Sequence, residues 1–274
     1  MEFFGTRSFQ VGLAIRVTGD GPVLVLIHGG TGSRSHWSRN VADLSRRFKV
    51  MTLDLPGFGE SPKVPDGVTT AEYLSWVEQS VQLAAGGNAF HLVGFSFGGA
   101  VSAAIASSLC KQGHAPERLT LISPSGFGKP VGRKMTLEKV KKNDHATEQE
   151  IREATARNLG RWMLSKEPNI SDPAIDIHLH NASIASFDSR SISHENSLIE
   201  HLRTLDIPVQ ILLGERDPLI FPSLAERKAL LKQSLPDLTI QIIPGAGHWA
   251  QYEASDDVNN KIIQFHLPGD RYEL

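Results

Sequence analysis

An α/β fold with a mostly parallel central sheet flanked by helices is what this sequence predicts. Three observations carry that reading. Short apolar runs rich in Val, Ile and Leu recur at strand length, helix-patterned stretches alternate with them, and glycine-rich or acidic loops close several of the runs. A strand buried on both faces needs no polar alternation, so a continuous apolar run of this length is its signature.

The elements follow in order. Residues 9–17 read as a leading hairpin-type strand, and residues 22–28 (PVLVLIH) as a buried one closed by Gly29 and Gly30. Residues 48–54 (FKVMTLD), 89–94 (AFHLVG), 118–123 (RLTLIS), 209–213 (VQILL) and 238–243 (LTIQII) repeat the pattern. Helices are expected over 70–85 and 98–109. The alternation stops between about 127 and 205, where amphipathic helical spacing takes over. There Thr147 to Glu150 form a capping-box signature, and Asp172 before Pro173 reads as an N-cap and first-turn pair. The expected organisation is a core of residues 1–126 and 206–274 with a helical cap at 127–205.

A chain of 274 residues buries enough surface to need no metal or disulfide staple. Lys plus Arg number 28 and Asp plus Glu 30, a net charge of −2, which gives no broad electrostatic footprint for nucleic acid. The single cysteine, Cys110, excludes an intramolecular disulfide and a CxxC zinc pattern, and reads as a buried thiol on a helix. No run reaches the ~18 apolar residues of a membrane span, and Met1 to Arg7 lack the layout of a signal peptide. The expected location is cytoplasmic, with neither nucleic acid nor membrane as a partner.

Chemistry concentrates where strands end. Gly94-Phe95-Ser96-Phe97-Gly98-Gly99 follows an expected strand and opens an Ala-rich helix, the setting of a nucleophile elbow. A serine on such a tight turn stands above a helix N-terminus, whose free N–H groups favour developing negative charge. His248, in the glycine-rich loop after the last strand, is the candidate base. Asp217, just past residues 209–213, is the candidate acid. Taken singly, a glycine-bracketed turn, a packed histidine and a turn-capping aspartate would explain them. Together, the order Ser96, Asp217, His248 matches a serine nucleophile, its orienting acid and its base. The loop His28-Gly29-Gly30-Thr31-Gly32 supplies the other wall. The Gly30 and Phe97 amides are the expected oxyanion donors, and His28 is read as a brace for the loop. His178 and His180 point to different faces of a helix and cannot jointly chelate, so no metal constellation is read.

Quoted as they stand, HGGTG, DLPGFGES, GFSFGG, GERDPLI and GAGHWAQYE resemble the α/β-hydrolase superfamily over residues 9–265. The resemblance implies an α/β-hydrolase fold with a helical cap insertion and no cofactor. Its partner would be a small-molecule substrate, and it leaves room for a homodimer. Within the superfamily, His28-Gly29-Gly30, Arg39-Asn40-Val41 and His248-Trp249-Ala250-Gln251 resemble the meta-cleavage-product hydrolases, which cut a carbon–carbon bond in vinylogous 1,5-diketones. That likeness implies substrate-binding roles for Gly29, Asn40 and Trp249, and a cap arginine on the substrate carboxylate, for which Arg161 and Arg190 are candidates. Trp162, Met163, Ile184 and Phe187 are candidates to line the pocket, with cap-to-core packing expected for at least half of them. Hydrolysis of an ester, lactone or amide stays open, as does a slow ligand-binding protein on the same fold.

Overall fold

The computed structural model describes residues 12–139 and 146–269. Seven strands form one sheet: β1 (Ile15–Thr18), β2 (Val23–Ile27), β3 (Lys49–Leu53), β4 (Phe90–Phe95), β5 (Leu119–Ile122), β6 (Val209–Gly214) and β7 (Thr239–Ile243). Their spatial order is β1-β3-β2-β4-β5-β6-β7, and every neighbouring pair is parallel except β1 with β3. The hairpin expectation for the first strand is therefore corrected. β1 pairs with β3, Ile15 opposite Leu53, and not with its chain neighbour β2, whose two edges are taken by β3 and β4. Residues 9–11 of that expected strand lie outside the described residues.

Ten helices accompany the sheet among the described residues: α1 (Val41–Leu44), α2 (Thr70–Ala85), α3 (Phe97–Lys111), α4 (Glu148–Trp162), α5 (Asp172–Ile184), α6 (Arg190–Ser193), α7 (Leu198–Arg203), α8 (Leu224–Ser234), α9 (Ala250–Glu253) and α10 (Ser255–His266). None is long and apolar enough to cross a membrane. Strand β2 shows how the sheet divides the core. Side chains alternate across a strand, so Val23, Val25 and Ile27 join the α2 and α3 residues Tyr73, Val77, Val101 and Ile105 on one face. Leu24 and Leu26 join Trp37, Phe48, Trp249 and the α10 residues Val258 and Ile262 on the other. The continuous apolar runs are continuous because both faces are covered.

Between β5 and β6 the chain runs without a helix through the described residues 123–139 and then forms α4 to α7. The capping box at the start of α4 is formed. Glu150 N–H donates to Thr147 Oγ1 at 3.2 Å, and Thr147 N–H donates to Glu150 Oε2 at 2.8 Å. The N-cap position of α5 is Ser171, one earlier than expected and without a side-chain capping bond, so Asp172 opens the helix. Cys110 is half-buried on α3, less enclosed than expected.

Candidate active site

The strand β4 ends in a turn that α3 leaves at once. Ser96 occupies that turn with φ 53° and ψ −115°, a conformation costly for any residue with a side chain. The turn is possible because its flanks are bare. A Cβ on Gly98 would lie 2.2 Å from the His28 carbonyl oxygen, so only glycine lets α3 pack against the β2 loop.

Two other strand ends complete the arrangement. His248 Nε2 lies 2.9 Å from Ser96 Oγ, and His248 Nδ1 lies 2.8 Å from Asp217 Oδ2. Nδ1–H donates to the carboxylate, which leaves Nε2 free to accept from the serine hydroxyl. The second Asp217 oxygen accepts from Leu219 N–H at 2.8 Å, so the whole carboxylate is held and buried. Glu253 braces the His248 loop from behind. It accepts from Gly247 N–H, and from the Ser165 and Lys166 N–H groups at 2.8 Å each. Glu253 closes the quoted GAGHWAQYE, but nothing in its local sequence marks it as a brace for the His248 loop.

The β2 loop faces Ser96. His28 Nε2 accepts from Leu55 N–H at 2.9 Å, so its proton sits on Nδ1 and is donated to Gly29 O at 2.7 Å. In a planar trans peptide C=O and N–H point oppositely, so fixing the Gly29 carbonyl aims the Gly30 N–H the other way. A Cβ built on Gly30 would lie 3.6 Å from Phe97 Cβ, which brings the two candidate oxyanion residues together. Gly29 N–H donates to His36 Nδ1 at 3.3 Å, so His36 must be neutral there.

Burial lowers His28 to about 4, against the Gly29 bond and Asp54, and holds His36 well below its ordinary range, helped by His28, His178 and His248. The unfolded chain protonates such histidines near 6.5 and the folded chain does not. Their contribution to stability is therefore full above 6.5 and is lost as pH falls toward 4. Thermal unfolding is expected to show Tm falling across that window. A Tm flat from neutral pH to 4 would contradict neutral histidines behind the loop.

A cavity of about 620 Å³ opens over these groups. Ser96, Asp217, His248, Gly30, Phe97 and Trp162, all singled out in the sequence, line it. Gly29, Asn40 and Trp249 do not, which corrects their expected role. Gly29 backs onto the Phe95 ring. Asn40 is fully buried and spends its Nδ2 donors on Gln251 O at 2.9 Å and Asn259 Oδ1 at 2.8 Å, tying the start of α1 to α9 and α10. Trp249 stacks on Tyr252 and donates to His36 O at 3.0 Å, inside the core. Phe187 likewise stacks on Tyr73, and neither it, Met163 nor Ile184 lines the cavity.

The expected arginines also change. Arg190 is exposed and paired with Asp188, and Arg161 pairs with Glu138. The cavity instead carries Arg133, Arg227 and Lys129, with Glu226 the acid among them besides Asp217. Arg227 donates to Phe221 O at 2.8 Å and lies over the Phe127 ring, and Arg133 donates to Leu219 O at 3.4 Å. Among the described residues neither forms an ion pair. Burial pushes Arg227 down to about 10, with Asp217 opposing, so it is still cationic at neutral pH.

The model of the "Alpha/beta hydrolase family" matches residues 24–261. A dihydrolipoyllysine-residue acetyltransferase component of the acetoin cleaving system of Pseudomonas putida is 29% identical over 257 residues, covering 89% of this chain. This chain spans only 63% of that relative's length. A 2-hydroxy-6-oxo-6-phenylhexa-2,4-dienoate hydrolase of Burkholderia cepacia is 25% identical, over 97% of this chain and 94% of its own. Among solved structures, naproxen esterase from Bacillus subtilis superposes with a TM-score of 0.70 at 21% identity, covering 92% of this chain and 86% of its own. That likeness is one of fold.

Proposed function

Because the chain belongs to the alpha/beta hydrolase family, we propose that it is a serine hydrolase acting on a small carbonyl compound that carries an anionic group. The observation that carries the reading is the Ser96–His248–Asp217 relay opening on the cavity. Ser96 Oγ attacks the substrate carbonyl while His248 Nε2 takes its proton. Asp217 holds the imidazole in the accepting tautomer and stabilises the imidazolium. The Gly30 and Phe97 N–H groups receive the oxyanion, a contribution of ~3–4 kcal/mol for a donor of this kind. The leaving group takes the proton from His248, and water activated by His248 then releases the acyl group from Ser96. Residues 127–205 serve as the cap over a core of 1–126 and 206–274.

The anionic group is inferred from Arg133 and Arg227, two cavity cations with no carboxylate partner among the described residues. Both guanidiniums are partly buried and feel only the more distant Asp217 carboxylate, which His248 holds, so a substrate carboxylate that pairs with them directly is favoured. Arg133→Gln and Arg227→Gln are each expected to raise KM for para-nitrophenyl hemisuccinate by about tenfold, roughly one charge-assisted hydrogen bond. KM for the neutral butyrate ester should move far less. Equal changes for both esters would remove the anionic group from the proposal. An ester is the first reading of the bond cut. The likeness to the dienoate hydrolase favours a second, C–C cleavage of a vinylogous diketone, in which His248 would help ketonise a dienol first. Turnover of a diketone with no ester turnover would select it.

A further inference from the structure

Three non-glycine residues among the described ones have a positive φ: Thr31 at 48°, Ser96 at 53° and Ser123 at 42°. All three line the one cavity over Ser96. Backbone strain of this kind persists where the surroundings enforce it, and it gathers at working sites. Thr31 belongs to the loop that carries Gly30, and Ser96 is the candidate nucleophile. Ser123 is so far unexplained.

Its position is close to the chemistry. Phe95 and Ile122 are register partners on the parallel strands β4 and β5, and Ser96 N–H donates to Ile122 O at 2.9 Å. Ser96 and Ser123 therefore leave adjacent strands side by side, about 5 Å apart by the ordinary strand spacing. Ser123 N–H is tied to Leu212 O at 2.8 Å, so strands on both sides hold the residue. Its side chain is the anomaly. Ser123 is 3% exposed, its Oγ is buried with no hydrogen-bond partner in the protein, and the residue is one of those lining the cavity. Glycine would remove both the strain and the unpaired hydroxyl. A second nucleophile is not the explanation, since His248 Nε2 is engaged by Ser96.

We propose that Ser123 is a specificity residue whose hydroxyl donates a hydrogen bond to an acceptor oxygen on the acyl side of the substrate. That oxygen, an ether, hydroxyl or oxo group, lies next to the scissile carbonyl, within reach of a wall residue about 5 Å from Ser96. The assignment rests on the serine-hydrolase reading and deepens it. It makes the preferred acyl group an oxygenated one.

The test uses two esters of nearly equal shape, para-nitrophenyl methoxyacetate and para-nitrophenyl butyrate, with rates corrected for their hydroxide reactivity. The wild type should prefer the methoxyacetate. In Ser123→Ala and Ser123→Gly that preference, read as the ratio of kcat/KM values, should fall by about tenfold, the loss of one buried hydrogen bond. Tm should stay level or rise in Ser123→Gly, because strain and an unpaired hydroxyl leave together. A ratio unchanged from wild type, or both esters falling in parallel with a lower Tm, would overturn the assignment in favour of a structural serine. Labelling of Ser96 by a fluorophosphonate in each protein separates the two levels. Labelling throughout with an unchanged ratio removes Ser123 alone, whereas an unlabelled folded wild type removes the hydrolase reading and this one with it.

Discussion

Ser96→Ala is expected to lower kcat/KM on any accepted ester by about 10⁴-fold or more, the scale on which removing a nucleophile from such a relay acts. The fold should survive, because Ser96 Oγ is bonded to His248 Nε2 and the backbone bonds of the turn run through its N–H and C=O. Tm close to wild type, with substrate binding retained, is the accompanying expectation. His248→Ala should cost nearly as much, and the double variant little more than either, because the two groups act in one step. Steady-state kinetics on para-nitrophenyl esters reads all three. A residual activity within about tenfold of wild type in Ser96→Ala would place the chemistry elsewhere.

A large effect on the folded protein is expected at Gly98. An added methyl would meet the His28 carbonyl oxygen at 2.2 Å and the Ile27 carbonyl oxygen at 2.7 Å. Both atoms are backbone, at the end of a fully buried central strand, so no side chain can swing aside. Gly98→Ala should therefore force α3 and the β2 loop apart. The expected cost is on the order of 4 kcal/mol, the range of severe overpacking at a rigid site. It should also widen the gap between the Gly30 and Phe97 amides, so activity per folded molecule falls along with stability. Urea unfolding and active-site titration measure the two parts separately. Wild-type stability in Gly98→Ala would contradict the close approach of helix and loop.

The sheet was legible in the sequence because six of its strands are apolar runs, most of them buried on both faces, a pattern that needs no knowledge of neighbours. The pairing of β1 was not, since a four-residue strand carries no local record of its partner, and β3 claimed it across the sheet. The Ser96, Asp217 and His248 set was legible for a related reason. Each residue lies within a few positions of a strand's end, and parallel strands bring their carboxyl ends to one edge. The rest of the cavity wall was not legible. Ser123 and Arg133 come from the chain after β5 and Arg227 from the chain after β6, and their meeting depends on how those two segments pack. Asn40 and Trp249 failed for the opposite reason. Their neighbours in sequence suggested a pocket, while the side chains turn back into the core, where Gln251, Asn259 and His36 satisfy their N–H groups.

The proposed chemistry stands on Ser96 being an activated nucleophile. Intact-protein mass spectrometry after exposure to a fluorophosphonate probe tests it most directly, because serine attack on phosphorus expels fluoride and leaves a stable adduct. One adduct is expected on the wild type and none on a folded Ser96→Ala. A folded wild type that takes no adduct would contradict it and leave a ligand-binding protein on a hydrolase fold, and an adduct persisting on Ser96→Ala would move the nucleophile to another residue.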